Sequence, residues 1–289
     1  MDEYKKKYLV AFASSMAYSY WLIGSGLTVF FVSKNYIYFS LFFIMLFSFI
    51  VSLIIFKGFK KISIYGVFSG MVVAIGNTLL YILIGNVNVV IAGSFTALNL
   101  VFFPLLIFRG DKKNLVKHLA GSSIVALGLI IESLTLSNFK MNFIFISILI
   151  GIFLGLLYAL STYFLNISLI KEKDVENTIS TIFLTETLFF GLATLLFKNF
   201  YFEIFSNILF IINTLLISIT IFIGIYLESK GFKGLKASEY EERNIINILS
   251  NLELMPIIII SIFEYTEYMP FYITGLFLII LGMIVITIK

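Results

Sequence analysis

Residues 97–131 read ALNLVFFPLLIFRGDKKNLVKHLAGSSIVALGLII, and residues 249–285 read LSNLELMPIIIISIFEYTEYMPFYITGLFLIILGMIV. Each stretch is an apolar run with a late proline, a short polar hinge, and a second apolar run punctuated by two glycines. Aligning Pro104 with Pro256 sets Asn99 opposite Asn251. Gly121 and Gly128 are seven residues apart, as are Gly275 and Gly282. The chain has only 3 prolines, and two of them hold this position. The pattern predicts an internal duplication.

Outward from these stretches the same texture continues. The 289 residues are 60% hydrophobic and 12% charged, with a mean hydropathy of +1.06. Soluble domains are about 25% charged. Water cannot be the solvent for such a surface, but a bilayer can, with about 20 apolar residues needed per crossing. Ten spans are predicted: Leu9–Val32, Ile37–Phe56, Ile62–Ile84, Asn88–Phe108, Leu119–Leu136, Phe143–Leu165, Thr178–Phe197, Ile208–Leu227, Ile245–Phe263 and Phe271–Ile288. The runs are continuous rather than alternating, which selects helices over a barrel. The expected fold is an all-α integral membrane protein, ten transmembrane helices in two five-helix repeats, residues 1–138 and 139–289. An odd number of spans per copy inverts the second copy relative to the first, a common construction of secondary transporters.

Charge sets the orientation. Of the 20 Lys and Arg residues, only Lys34, Lys140 and Lys198 fall on one side of this loop series, and the other seventeen fall on the opposite side. Cytoplasmic loops hold the excess of basic residues, so the chain reads as a multi-pass protein of a cell membrane with both termini cytoplasmic. The net charge of +4 is this bias and calls for no nucleic acid. The first span has a polar, aromatic middle, unlike a cleaved signal. The longest loop runs from Glu228 to Asn244. In it Ser238 and Glu241 fit a capping box, so the ninth helix is predicted to begin near Glu239, with Glu241, Glu242 and Arg243 as a solvated first turn. His118, the sole histidine, reads as a solvated surface residue. With no cysteine and one histidine, thiol chemistry is excluded and common metal and triad sites nearly so. No phosphate loop or nucleophile elbow is present, and no cofactor is implied.

These residues resemble the drug/metabolite transporter superfamily, in its EamA-like branch. The family's repeat signature is a small-residue-rich helix with a late proline, an acidic residue after it, and a glycine-punctuated helix. The second copy gives Pro256, Glu264, Gly275 and Gly282. The first gives Pro104, then Arg109-Gly110-Asp111, then Gly121 and Gly128, with Asp111 where Glu is usual. Two residues separate Trp21 from Gly24, where the family often has Trp followed directly by Gly. The resemblance implies ten helices in two inverted repeats and a transporter, often an exporter of amino acids, other metabolites or drugs.

Polar residues inside spans are the candidates for function, because an ionisable group there costs about 2.5–3.5 kcal/mol on insertion scales. Glu132, Glu186 and Glu253 are such carboxylates. Glu132 is near a span end. Glu186 suits an interhelical hydrogen bond as well as transport, its span being peripheral in the family. Glu253 is central in a span that the resemblance puts on the pathway. Asn99 and Asn251 suit either substrate contact or helix–helix adhesion. Their neighbour Glu253 stands about 200° round a helix from Asn251, so the pair cannot both face one narrow cavity. Pro256 weakens the ladder one turn earlier and frees the Leu252 carbonyl. Tyr18 and Trp21 put an aromatic wall in the middle of the first span, where Trp is uncommon, although packing against a neighbouring helix explains Trp21 equally well. Tyr158 and Thr162 share a face of the sixth span, Asn77 and Tyr81 of the third, and Asn213 stands in the eighth. Gly66/Gly70 and Gly151/Gly155 are close-packing pairs.

The expected function is secondary transport of a small metabolite, such as an amino acid, or of drug-like compounds by alternating access. Export is the implied direction, and protons are a candidate coupling ion through Glu253. The expected partners are a small-molecule substrate and the lipid bilayer. The alternative is a polytopic membrane enzyme acting on a lipid-linked substrate, with Glu253 or Glu186 as base.

Overall fold

The computed structural model describes residues 3–32, 36–86, 89–108, 112–135, 144–253 and 269–287. The apolar runs are helices, and no strand occurs among the described residues. In chain order they are α1 (Glu3–Phe31), α2 (Ile37–Ile55), α3 (Ile64–Asn86), α4 (Val89–Thr96), α5 (Asn99–Ile107), α6 (Lys112–Thr135), α7 (Ile144–Lys171), α8 (Val175–Leu196), α9 (Ile208–Phe232), α10 (Tyr240–Ser250) and α11 (Met269–Thr287). Among the described residues, six stretches are long and apolar enough to cross a membrane: Ile37–Ile55, Ile64–Asn86, Asn114–Ile131, Ile146–Lys171, Val175–Leu196 and Ile208–Phe232. The 29 residues of α1 are long enough too, but Ser14, Ser15, Ser19 and Ser25 dilute its hydropathy, and all four are buried.

Burial runs opposite to that of a soluble protein. Large apolar side chains such as Phe30, Ile54 and Leu196 face outward, while serines and threonines lie inside. Most of these hydroxyls bond to a carbonyl one turn back in their own helix, as Ser48 does to Ile44 and Thr194 to Phe190. They therefore act as small residues that let helices approach. The principal packings are α1 along α9, α3 along α7, α2 along α8 and α6 along α11. Glycines set the closest of them. A Cβ on Gly70 would stand 2.8 Å from the Ile182 carbonyl oxygen, and one on Gly128 would stand 2.6 Å from that of Gly275. A Cβ on Gly282 would stand 2.5 Å from the Gly121 carbonyl oxygen.

Two expected spans are not continuous. The fourth stops at Thr96 and resumes at Asn99, with Ala97 and Leu98 in a turn. The ninth stops at Ser250, with Asn251 and Glu253 in turns. Local side chains compete with the ladder at both places. The Thr96 hydroxyl bonds to the Gly93 carbonyl, and the Asn251 amide donates to the Asn247 carbonyl at 2.7 Å. Pro256, Glu264 and the Arg109–Asp111 hinge lie outside the described residues.

Helices also outrun the spans read from hydropathy, by three to seven residues, at the start of α1, α6, α8 and α10 and the end of α7 and α9. All six overruns lie on the Lys/Arg-rich side. Charge ends the apolar run but not the helix. Hence α9 reaches Phe232, and Glu228 is helical rather than the start of a loop. The ninth helix begins at Tyr240 as expected, but Ser238 does not cap it. Glu239 is the N-cap and makes no side-chain cap bond, its carboxylate instead accepting from the Lys236 amide. Two solvated-surface expectations are corrected. Arg243 is buried and its Nη1 donates to the Ala237 carbonyl. His118 is fully buried, its Nδ1 3.0 Å from Asn244 Nδ2 and its ring edge-on to Tyr240. Tyr240, Arg243 and Asn244 of α10 face inward, the first and last of them against His118 of α6, while Glu241 and Glu242 stay half-exposed.

At the surface, Tyr4 of α1 donates to Glu239 Oε1 at 2.7 Å, clasping the start of α1 to the start of α10. The Lys236 amide and the Tyr4 hydroxyl hold the Glu239 carboxyl below its ordinary pKa. The Glu239 carboxylate, first by its hydrogen bond and then by its charge, pushes Tyr4 up to about 12. A depressed acid contributes stability above its unfolded pKa and loses it as pH falls through the folded value. A raised tyrosine contributes below its unfolded pKa of 10.0 and loses the contribution as pH climbs toward the folded value. The unfolding-midpoint difference between wild type and Tyr4→Phe is therefore expected to be flat from about pH 5 to 10. It should shrink on both flanks. Thermal unfolding of the solubilised protein across pH checks this, and a difference that is the same at every pH would contradict it.

Candidate functional site: a carboxylate-lined cavity

The two helix breaks open onto one cavity. Side chains from α1, α3, α4, α5, α7, α8 and α9 and from the end of α10 line it. Tyr18 and Trp21 come from α1, and Tyr158 comes from α7. The Trp21 ring sits edge-on between the two tyrosines, with centroids 6.1 Å from Tyr18 and 6.2 Å from Tyr158. The aromatic wall expected from the first span is therefore present, and it is shared with α7.

Polar networks tie this wall to the carboxylates. Tyr158 donates to Asn77 Oδ1 at 2.7 Å, and Asn77 Nδ2 donates to Glu186 Oε2 at 2.8 Å. One amide thus links α7, α3 and α8. On the other side Tyr18 donates to Glu228 Oε2 at 2.7 Å, linking α1 to α9. At the break between α4 and α5, Thr96 Oγ1 lies 2.7 Å from Glu253 Oε1. Ser19 of α1 donates to the Glu253 carbonyl at 2.6 Å. This supplies a partner to a backbone group that the end of a helix leaves without one.

Asn99 and Asn251 touch directly. Asn99 Nδ2 donates to Asn251 Oδ1 at 2.9 Å. The sense of this bond is fixed, because the Asn251 NH2 group is engaged by the Asn247 carbonyl at 2.7 Å and by Asn247 Oδ1 at 3.1 Å. Asn251 must then present its oxygen to Asn99.

Of the residues singled out in the sequence, Tyr18, Trp21, Asn77, Asn99, Tyr158, Thr162, Asn251 and Glu253 all line this cavity. Asn251 and Glu253 do so together. The 200° separation argued against that, but it holds only for a continuous helix, and this helix has ended at Ser250. Tyr81 and Asn213 are elsewhere. Tyr81 is fully buried away from the lining. Asn213 donates to the Gly24 carbonyl and to Thr28, both at 3.0 Å, and so joins α9 to α1. Glu132 is in α6, its side chain outside what is described.

Glu228 was hidden from the sequence reading by its place at the end of an apolar run, beside Ser229 and Lys230. The signal that exposes it is helical spacing, seven residues after Ile221, which also lines the cavity. Glu186 lines the cavity while making its interhelical bond, so its two readings are compatible.

The chemistry of the wall is one-sided. Glu186, Glu228 and Glu253 each have one carboxylate oxygen engaged and the other buried with no partner. Asn99 Oδ1 is likewise buried without a partner. Among the described residues, no Lys, Arg or His lines the cavity. A buried carboxylate is retained where a proton or counter-charge meets it.

No family model matches the sequence, and no curated protein matches it significantly. Among solved structures, one crystal structure aligns over 98% of this chain and 97% of its own, with a TM-score of 0.65 at 13% identity. The overall helical arrangement is therefore one already seen in a solved protein.

Proposed function

We propose that this chain is a secondary transporter, with ten membrane spans in two inverted five-helix repeats and both termini cytoplasmic. A small solute binds in the carboxylate-lined cavity, and the two halves rock about it to expose it to each side in turn. The observation that carries this reading is the cavity itself. It lies at two helix breaks, one from each half, and is walled by polar side chains from both halves. Discontinuous helices whose ends face a midplane site are characteristic of such transporters.

The helix pairing supports the duplication. Replacing each first-half helix by its second-half counterpart turns the pair α1 with α9 into α7 with α3. It returns α2 with α8 and α6 with α11 to themselves, and all four are principal packings. Gly121 meets Gly282 and Gly128 meets Gly275, which is the crossing a two-fold relation requires of matched glycines. Export and an EamA-like ancestry follow from the resemblance of the repeat motifs, and proton coupling is assigned to the lining carboxylates.

The test is an unbiased flux assay. Proteoliposomes are loaded with a whole-cell metabolite extract, and efflux is followed by mass spectrometry with and without a proton gradient. One chemical class is expected to leave faster than from protein-free vesicles. Equal efflux from both, with folded protein present, would overturn transport.

A further inference from the structure

The cavity has an aromatic side and an anionic side, and these ask for one kind of ligand. Four buried, unpartnered polar atoms belong to its lining, and all four are oxygens placed to accept: Glu186 Oε1, Glu228 Oε1, Glu253 Oε2 and Asn99 Oδ1. The Asn99 oxygen is an acceptor by the hydrogen-bond chain through Asn251 and Asn247, not by choice of rotamer. Glu186, Glu228 and Glu253 are each 5% exposed or less. An ammonium group brings three donors and no acceptor, which complements this set.

Tyr18, Trp21 and Tyr158 supply the other half. Their rings are held in place by edge-on contacts and by the bonds of both tyrosine hydroxyls to Glu228 and Asn77. Aromatic faces attract cations and cover apolar bodies, more strongly where water is excluded. A zwitterion or an organic anion is disfavoured, because no cationic side chain among the described residues lines the cavity to receive its carboxylate. A neutral polar solute brings no positive charge to the carboxylates.

Resting on the transporter reading, we propose that the solute is an organic cation, an amine with an apolar body. Its ammonium group is held by Glu186, Glu228, Glu253 and Asn99, and its body lies against Tyr18, Trp21 and Tyr158.

Trp21 is the chain's only tryptophan, so its emission reports this wall alone. The purified full chain in nanodiscs is titrated with 2-phenylethylamine, 1,4-diaminobutane and tetramethylammonium as cations. The controls are 2-phenylethanol and phenylacetate, the neutral and anionic analogues of the first. At least one cation is expected to shift Trp21 emission saturably, with neither analogue doing so. Glu253→Gln and Glu228→Gln are expected to weaken that cation by about tenfold or more each. Should one of these variants fail to fold, the other carries the comparison. Absence of a saturable shift with every cation would overturn the inference, as would equal binding of either analogue.

Flux separates this inference from the reading beneath it. Cation binding with no efflux from loaded proteoliposomes removes transport and keeps the cation site. Efflux of a neutral or anionic class without cation binding removes the cation and keeps transport.

Discussion

Asn77→Leu is expected to destabilise the protein by about 3 kcal/mol, more than any other single change at the cavity. The side chain is buried and spends both ends of its amide, accepting from Tyr158 and donating to Glu186. Leucine fills the volume but supplies neither group. Glu186 is fully buried and its Oε1 already lacks a partner, so the substitution leaves the whole carboxyl unsatisfied. The Tyr158 hydroxyl loses its acceptor as well. Removing one partner of a buried polar pair costs much more than replacing both. Asn77→Leu/Glu186→Leu is therefore expected to recover at least half of the loss, with a clear coupling energy in a double-mutant cycle. Denaturant unfolding in detergent measures it. Additive losses would mean that the two side chains do not meet in the folded protein.

The second large effect is expected where α6 meets α11. A methyl group at Gly128 would stand 2.6 Å from the Gly275 carbonyl oxygen and 2.9 Å from an Ile279 side-chain carbon. The nearest obstacle is backbone, which cannot rotate aside, so the two helices must separate. Gly128→Ala is expected to cost about 1–3 kcal/mol. Gly76→Ala is the control, for its added carbon would meet nothing closer than a Tyr158 ring carbon at 3.7 Å. There the higher helix propensity of alanine is expected to leave stability unchanged or raised by up to about 1 kcal/mol. Equal midpoints for the two variants would show that α6 and α11 do not approach to the distance on which this argument rests.

The fold was legible in the sequence to the extent that lipid dictates it. Apolar runs become helices because nothing else satisfies the backbone there, and nearly every predicted span contains a helix. The boundaries were less legible, because hydropathy reports where charge begins, and a helix can continue past that point in water. Glu228 shows the cost, since a helix that ran five residues beyond its predicted end carried a carboxylate into the cavity. The breaks after Thr96 and Ser250 were not legible either. They arise where one hydroxyl and one amide divert backbone groups. The cavity residues were read well where a polar group stood in mid-span, because only an interior place tolerates it. Asn213 met the same criterion and proved to join two helices. Mid-span polarity identifies an interior residue, and only packing decides whether that interior is a cavity or a contact.

A hydrogen bond between two like side chains has a direction, and the Asn99–Asn251 bond gives one to the whole cavity. Asn251 is committed by Asn247, four residues before it. The position aligned with Asn247 in the first half is Phe95, whose side chain accepts nothing. The Asn247 carbonyl and side chain together take up the Asn251 NH2 group, and the second of these acceptors has no counterpart at Phe95. Asn251 is used up in holding its own chain end, while Asn99 keeps an open oxygen. At this one pair the cavity is handed, and whatever enters meets a receptive asparagine from the first half and a saturated one from the second.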